Sequence, residues 1–171
     1  MTLADTWKQL VKPRQHARLP EEGVALALGG GAVLGAAHIG VLKALDEYGI
    51  KVNRISGTSI GAMIAALYAF GKTPEEIEQS VIELYWLDVT SFTLSRFGIL
   101  SNDDLGSQIA NLLGNVDIAD ARIPLYLIAT DLTHGTKIVL SKGDVSRAVM
   151  ASTCIPGIFV PVEIDGELLV D

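Results

Sequence analysis

The sequence holds a single cysteine, six prolines and few aromatic residues. One thiol, Cys154, forbids an intrachain disulfide framework and leaves too few sulfur ligands for a structural zinc site, which suits a reducing, cytoplasmic compartment. No basic-then-apolar leader opens the chain, and no apolar run reaches the about 18 residues a membrane span needs. The chain therefore reads as soluble, or at most peripheral to a membrane. Basic residues are scarce as well: 13 lysines and arginines stand against 20 aspartates and glutamates, a formal net charge of −7. So acidic a body repels phosphates, which argues against nucleic acid as a partner.

The charge is uneven. Residues 1–20 carry Lys8, Lys12, Arg14 and Arg18 against Asp5, a net +3, which leaves −10 on the remainder. Leu3, Trp7, Leu10 and Val11 share one helical face before Pro13 stops it, so residues 1–22 read as a basic arm with a short helix. Two uses of the arm stay open: contact with anionic lipid at the inner face of a membrane, or a terminal helix that docks on its own domain or frays.

Against these absences stand 17 glycines and an apolar fraction of 49%. Residues 23–171 are long enough to bury a core and read as one domain. "GVALALGG" (23–30) is a short apolar run ending in glycines, as a buried parallel strand would be. "GAAHIGVLKALDEYG" (35–49) sets Ile39, Leu42 and Leu45 on a helical stripe and stops at Gly49. A second strand leads to Ser59, and a helix follows from 60 to 70. Helices are expected at 73–87, capped by Thr73 with Pro74 in the first turn, and at 101–114. "IPLYLIATDL" (123–132) is a strong strand and "KIVL" (137–140) a weaker one. Helix 144–152 then leads into a loop, a hairpin and a last strand. Strands alternating with helices imply an α/β domain, with a mainly parallel sheet covered on both faces.

"GTSIG", Gly57 to Gly61, is a G-x-S-x-G match centred on Ser59. Alone it is weak, but it falls where strand residues (Val52, Ile55) give way to helical spacing (Ile60, Met63, Ile64, Leu67). A serine on such a turn takes a strained backbone, and Gly57 and Gly61 let strand and helix pass closely, as in a nucleophile elbow. The helix N-terminus behind it lends positive potential to an alkoxide and an oxyanion. The bland alternative is a serine that merely caps helix 60–70.

"LGGGAVLGAAHIG" (28–40) places three glycines between a strand and a helix, where backbone N–H groups can face an anion. One use is an oxyanion hole beside Ser59; the other is a cradle for a dinucleotide. The second fits poorly, because Leu34 stands where the third glycine of G-x-G-x-x-G belongs and no acidic residue closes the second strand. Gly71-Lys72-Thr73 resembles a P-loop tail, yet Ala66 occupies the place of its first glycine, and a helix stop followed by a cap explains it better.

A serine nucleophile needs a proton acceptor. His16 lies in the arm, His38 in the helix after the glycines and His134 in a turn. The usual Ser-Asp-His order would put the histidine last, after the acid, and none of the three is well placed for that. An acid acting directly on the serine remains, with Asp131, Asp165 and Asp171 at strand or hairpin ends.

In combination these residues resemble the patatin-like phospholipase family, lipid acyl hydrolases with a Ser-Asp dyad. "GGGAVLGAAHIGVLKAL" is similar to the family's glycine-rich loop and first helix, and "GTSIGAMIAALYA" to its elbow. "ATDLTHG" and "AVMASTCIPGIFVPVEIDGELLVD" resemble the approach to its D-G-G or D-G-A motif. The resemblance runs from about Val24 to Asp171. It implies a three-layer α/β/α sandwich, Ser59 as nucleophile, Asp171 as its base, and the amides of Gly29, Gly30 and Gly31 as an oxyanion hole. It also implies a lipid substrate, with no cofactor and no metal.

Two departures stand out. Leu34 occupies a position where the family usually carries arginine or lysine. The family's motif also continues with glycine after the aspartate, whereas Asp171 is the last residue here. The expectation is therefore a fragment, completed by a C-terminal segment or a second chain. "LYWLDVTSFTLSRFGIL" (84–100), which carries Trp86, Phe92, Phe97 and Ile99, reads either as an acyl-channel or interfacial loop or as core. Beside a lipid hydrolase, an impaired relative that binds lipid or a partner and a nucleotide-binding module both stay open.

Overall fold

The computed structural model describes residues 23–91 and 103–171. The basic arm, and the aromatic stretch from residue 92 onward, lie outside the described residues. Strands β1 (Val24–Leu28), β2 (Val52–Thr58) and β3 (Leu125–Asp131) pair in parallel, in that order, within a six-stranded sheet of which β1 is an edge. They are the three strands expected at 23–30, before Ser59 and at 123–132. Strand β4 (Thr136–Leu140) returns antiparallel to β3, and the hairpin of β5 (Val162–Ile164) and β6 (Glu167–Val170) adds the remaining pairs. The parallel core is as the alternation of strands and helices implies; the antiparallel partners make the sheet as a whole mixed.

One consequence of the register governs the site. Along Leu127–Asp131 one edge of β3 is taken by β4, so β2 and β6 must share the other edge, end to end. Thr58 of β2 is level with Ile128, and Val170 of β6 is level with Thr130. The next residue of each strand, Ser59 and Asp171, thus arrives beside Ala129 from opposite directions.

Helices α1 (Ala36–Glu47), α2 (Ile60–Ala69), α3 (Pro74–Ser91), α4 (Asp103–Leu113) and α5 (Val145–Ser152) follow the expected order. Helix α2 is apolar on nearly every side, and Ala62 to Leu67 are buried without a break, as befits a helix enclosed by its neighbours. Thr73 and Glu76 satisfy each other's backbone N–H groups at 3.2 and 2.8 Å, a capping box that opens α3. This helix continues to Ser91, so the first half of the aromatic stretch is helical in its backbone. At α5 the side chain of Asp144 accepts the N–H of Arg147 at 2.8 Å. A side chain on Gly106 would meet Met150 Sδ at 2.2 Å, which is how α4 lies so close on α5.

One apolar cluster joins the sheet to all five helices, running from Leu28, Ile39 and Leu42 through Ile55, Ile64, Leu67 and Ile77 to Ile109, Leu127 and Val149. The opposite face of the sheet carries Ala25, Ala27, Tyr126 and Val139, which are exposed among the described residues. Of the layers in a three-layer sandwich, the described residues thus supply the sheet and the helices on one face.

Candidate functional site

Ser59 sits between the last residue of β2 and the first of α2, with φ 55° and ψ −129°. Left-handed φ at a non-glycine residue costs about 1–3 kcal/mol and persists only where the surroundings enforce it. The glycines two residues to either side explain the enforcement. A Cβ on Gly57 would lie 2.2 Å from the carbonyl oxygen of Gly61, and one on Gly61 would lie 2.3 Å from that of Leu28. Both obstacles are backbone, so neither can swing aside. Strand β2, helix α2 and the end of β1 meet at van der Waals distance, and the turn that carries Ser59 has no slack. The Ser59 side chain makes no cap bond to α2, which removes the capping explanation for this serine.

The glycine loop lies against the same residue. A Cβ on Gly30 would stand 3.1 Å from the Ser59 Cβ and 3.8 Å from its Oγ. Gly31 has φ 146°, and its carbonyl accepts the N–H of Leu34 at 3.0 Å, which starts a 3-10 turn over Ala32–Gly35. This turn precedes α1, where the sequence reads as helix only from residue 35. Gly35 closes the turn against the side chain of Ile60, since a Cβ there would sit 2.6 Å from it. His38 Nε2 bonds the carbonyl oxygen of Gly29 at 2.9 Å. In a trans peptide the N–H of Gly30 then points the opposite way. His38 is accordingly a brace on the loop.

From the other side comes a residue the sequence did not mark. The backbone N–H of Ser59 donates to Ser152 Oγ at 2.9 Å, and Ser152 donates in turn to the carbonyl oxygen of Ile128 at 2.5 Å. Ser152 is completely buried at the end of α5. A serine in the last turn of a helix is commonplace, so nothing local distinguishes it.

Of the three candidate acids, Asp171 alone is brought level with Ser59. Its N–H is anchored to the carbonyl oxygen of Cys154 at 2.8 Å. Among the described hydrogen bonds none joins the Asp171 carboxylate to Ser59 Oγ. Asp131 is buried at the end of β3, but its carboxylate is committed: Oδ1 accepts the N–H of Thr133 at 2.9 Å, and Oδ2 bonds His134 Nδ1. The Thr133 amide first, and His134 second, hold this carboxyl below the usual aspartate value. Asp165, with φ 54°, lies in the exposed turn of the β5–β6 hairpin. Burial pushes the Cys154 thiol upward and the charge of Asp171 adds to this, so the cysteine is a packed, unreactive neighbour of the site.

Val33 and Leu34, in the turn after the glycines, are 68% and 79% exposed. A cleft of about 690 Å³ opens elsewhere, between β4, the start of α5 and the β5–β6 hairpin; neither Ser59 nor the glycine loop lines it. Among the described residues no histidine, cysteine and carboxylate group is arranged to hold a metal ion, and no helix is long and apolar enough to cross a membrane.

A family model described as patatin-like phospholipase matches residues 26–171. An uncharacterized NTE family protein of Mycobacterium tuberculosis is 37% identical over 150 residues, which cover 86% of this chain and 42% of that protein. The neuropathy target esterase sws of Drosophila melanogaster is 32% identical over 161 residues, covering 90% of this chain and 11% of the esterase. The chain thus spans less than half the length of these relatives. Among solved structures, VipD from Legionella pneumophila superposes with a TM-score of 0.66 at 18% identity, over 90% of this chain and 46% of VipD. The type III effector ExoU follows with a TM-score of 0.58 at 21% identity, over 82% of this chain and 42% of ExoU. At such identities the two structures speak for the fold.

Proposed function

This chain belongs to the patatin-like phospholipase family, and on that premise we propose that it is a serine lipid acyl hydrolase with Ser59 as nucleophile and Asp171 as base. The observation that carries the reading is the enforced backbone of Ser59, φ 55°, with Gly30 pressed against its side chain. A nucleophile elbow requires such a backbone at its serine.

The chemistry runs in two halves. Ser59 Oγ attacks the carbonyl carbon of a lipid ester while its proton passes to the Asp171 carboxylate. The tetrahedral oxyanion is held by amides of the Gly29, Gly30 and Gly31 loop, with the positive end of α2 beside it. Collapse breaks the bond to the alcohol, which leaves with the proton from Asp171, and Ser59 keeps the acyl group. Water then attacks the acyl-enzyme, giving up a proton to Asp171, and the fatty acid departs as that proton returns to Ser59. In this reading the Ser59 to Asp171 hydrogen bond, not made in the free structure, forms as substrate excludes water, as catalytic hydrogen bonds often tighten only in the substrate complex. Leu34 leaves the loop without the cation the family usually carries there, and a modest turnover follows from that.

A second reading, a relative that binds lipid without turnover, draws on one observation: Ser59 Oγ and the Asp171 carboxylate are not hydrogen-bonded to each other. Intact-mass analysis after a fluorophosphonate probe separates the two. The hydrolase gives one adduct, mapped to Ser59 and lost in Ser59→Ala, together with turnover of a soluble short-chain ester. Absence of both adduct and turnover hands the chain to the second reading.

A further inference from the structure

Three loops lie at the end of the sheet that carries Ser59, and their composition is unlike that of the rest of the chain. Residues 29–35 follow β1, residues 132–135 follow β3, and residues 153–161 follow α5. None of the chain's 13 basic and 20 acidic residues falls in any of them. All three are tied to the site: Gly30 lies against Ser59, Cys154 anchors the N–H of Asp171, and Leu132 bonds Leu168 beside the end of β6.

These loops are also where the exposed apolar side chains gather. Twelve large hydrophobic residues are exposed in the described structure. Val33 and Leu34 stand in the loop whose Gly30 lies against Ser59. Ile155, Ile158 and Val160 stand in the loop that anchors Asp171 through Cys154, at 43%, 44% and 52% exposure. Leu132 and its neighbour Leu168 complete the group at 49% and 42%, so seven of the twelve sit at this one end of the sheet. Isolated exposed leucines need no explanation, but a concentration around a nucleophile marks a binding surface.

We infer that these three uncharged loops form a docking face for a lipid-water interface of no net charge, such as one made of phosphatidylcholine. The choice of lipid as occupant rests on the hydrolase reading. The choice of an uncharged lipid rests on the loops: they offer no lysine or arginine to an anionic headgroup, and the chain behind them, at −7, is repelled by an anionic surface. Apolar side chains that enter the acyl boundary supply the attraction, which grows with the apolar area they bury.

The test is co-sedimentation of Ser59→Ala, which leaves the lipid intact, with phosphatidylcholine vesicles and with equimolar phosphatidylcholine and phosphatidylglycerol. The expected result is retention on phosphatidylcholine at physiological salt, with no gain from phosphatidylglycerol. Ile158→Asp, and independently Leu132→Asp, each weaken partitioning by roughly tenfold or more. In the Ser59 background, Ile158→Asp keeps the melting temperature and the turnover of a soluble short-chain ester. Retention that demands phosphatidylglycerol, survives Ile158→Asp and is lost on deleting residues 1–22 overturns the inference in favour of the basic arm. A dimer that is not retained by vesicles overturns it in favour of a second copy on the same face. If vesicles retain the protein but ester turnover is absent, the docking face stands and the hydrolase reading falls.

Discussion

The backbone N–H of Ser59 is held by the hydroxyl of Ser152 at 2.9 Å, and the same hydroxyl reaches on to the carbonyl oxygen of Ile128. One buried side chain thereby joins the strained turn after β2, the adjacent strand β3 and the end of α5. The left-handed backbone of Ser59 is fixed from below by the Gly57 and Gly61 contacts and from the side by this bond, so its strain cannot relax in either direction.

Ser152→Ala removes the acceptor for Ser59 and the donor for Ile128 together. Leaving buried backbone groups without partners costs about 1–3 kcal/mol, and part of that cost falls on the geometry of Ser59. The expected outcome is a fall in the fluorophosphonate labelling rate and in kcat by roughly tenfold to a hundredfold, with KM little changed. A uniformly destabilised enzyme would lose melting temperature but label normally below the transition. The comparison of labelling rate at 10 °C with the melting curve therefore checks the positioning role.

Three glycines give a graded series. At Gly61 a methyl group would collide with the backbone oxygens of Leu28 and Gly29 at 2.3 and 2.6 Å, so Gly61→Ala is expected to destabilise by about 3 kcal/mol or more. At Gly30 the obstacle is the Ser59 Cβ at 3.1 Å, which displaces the nucleophile rather than the fold. Gly30→Ala should keep most of the stability and lose labelling. Gly40, inside α1, has nothing within 4 Å of an added methyl, and Gly40→Ala is expected to stabilise by about 0.5–1 kcal/mol through helix propensity. Urea midpoints and labelling rates measured side by side test the ordering.

How much of this was legible in the sequence follows the range of the interactions. Ser59, Gly57 and Gly61 lie within five residues, and the switch from strand to helix spacing reports their geometry directly. The Thr73 and Pro74 start of α3 is equally local, and so is the glycine loop. Ser152 was not legible, because it meets Ser59 across 93 positions and its neighbours "AST" carry no periodic signal. The end-to-end seating of β2 and β6 on one edge of β3 was hidden for a related reason: a hairpin's place in a sheet is set by register, which no local spacing encodes. The end of α3 was misjudged by four residues, from 87 to 91, because aromatic and β-branched residues there blur the helical pattern.

Asp131 predicts an acid-side signature. Its carboxyl is held below the ordinary value of 3.8 by the Thr133 amide and then by His134. A depressed carboxyl contributes stability that is present above its unfolded value and is lost as pH falls through its folded one. Asp131→Asn should therefore lower the melting temperature at pH 6, and the gap to the parent should close as the pH is taken below 3.8. A gap that stays constant down to pH 3 would assign the effect to the lost hydrogen bonds alone.

The same aspartate is the control for the proposed base. Asp131 ends β3, two residues past Ala129, and Asp171 follows β6, whose register brings it level with Ala129, so either fits a description based on strand ends. Their surroundings differ. Asp131 spends both oxygens on the turn that follows it, on Thr133 and His134, whereas among the described residues Asp171 is tied through its backbone, to Cys154. A general base must be free to take a proton from Ser59 and give it up again, and removing one costs roughly a hundredfold to ten thousandfold in rate. Asp171→Asn is expected to lose that much in ester turnover while its melting temperature holds. Asp131→Asn is expected to do the reverse, losing stability while it still labels at Ser59. Should Asp131→Asn abolish labelling in folded protein and Asp171→Asn leave it intact, the base would be Asp131, and the turn it caps would have to open during the reaction.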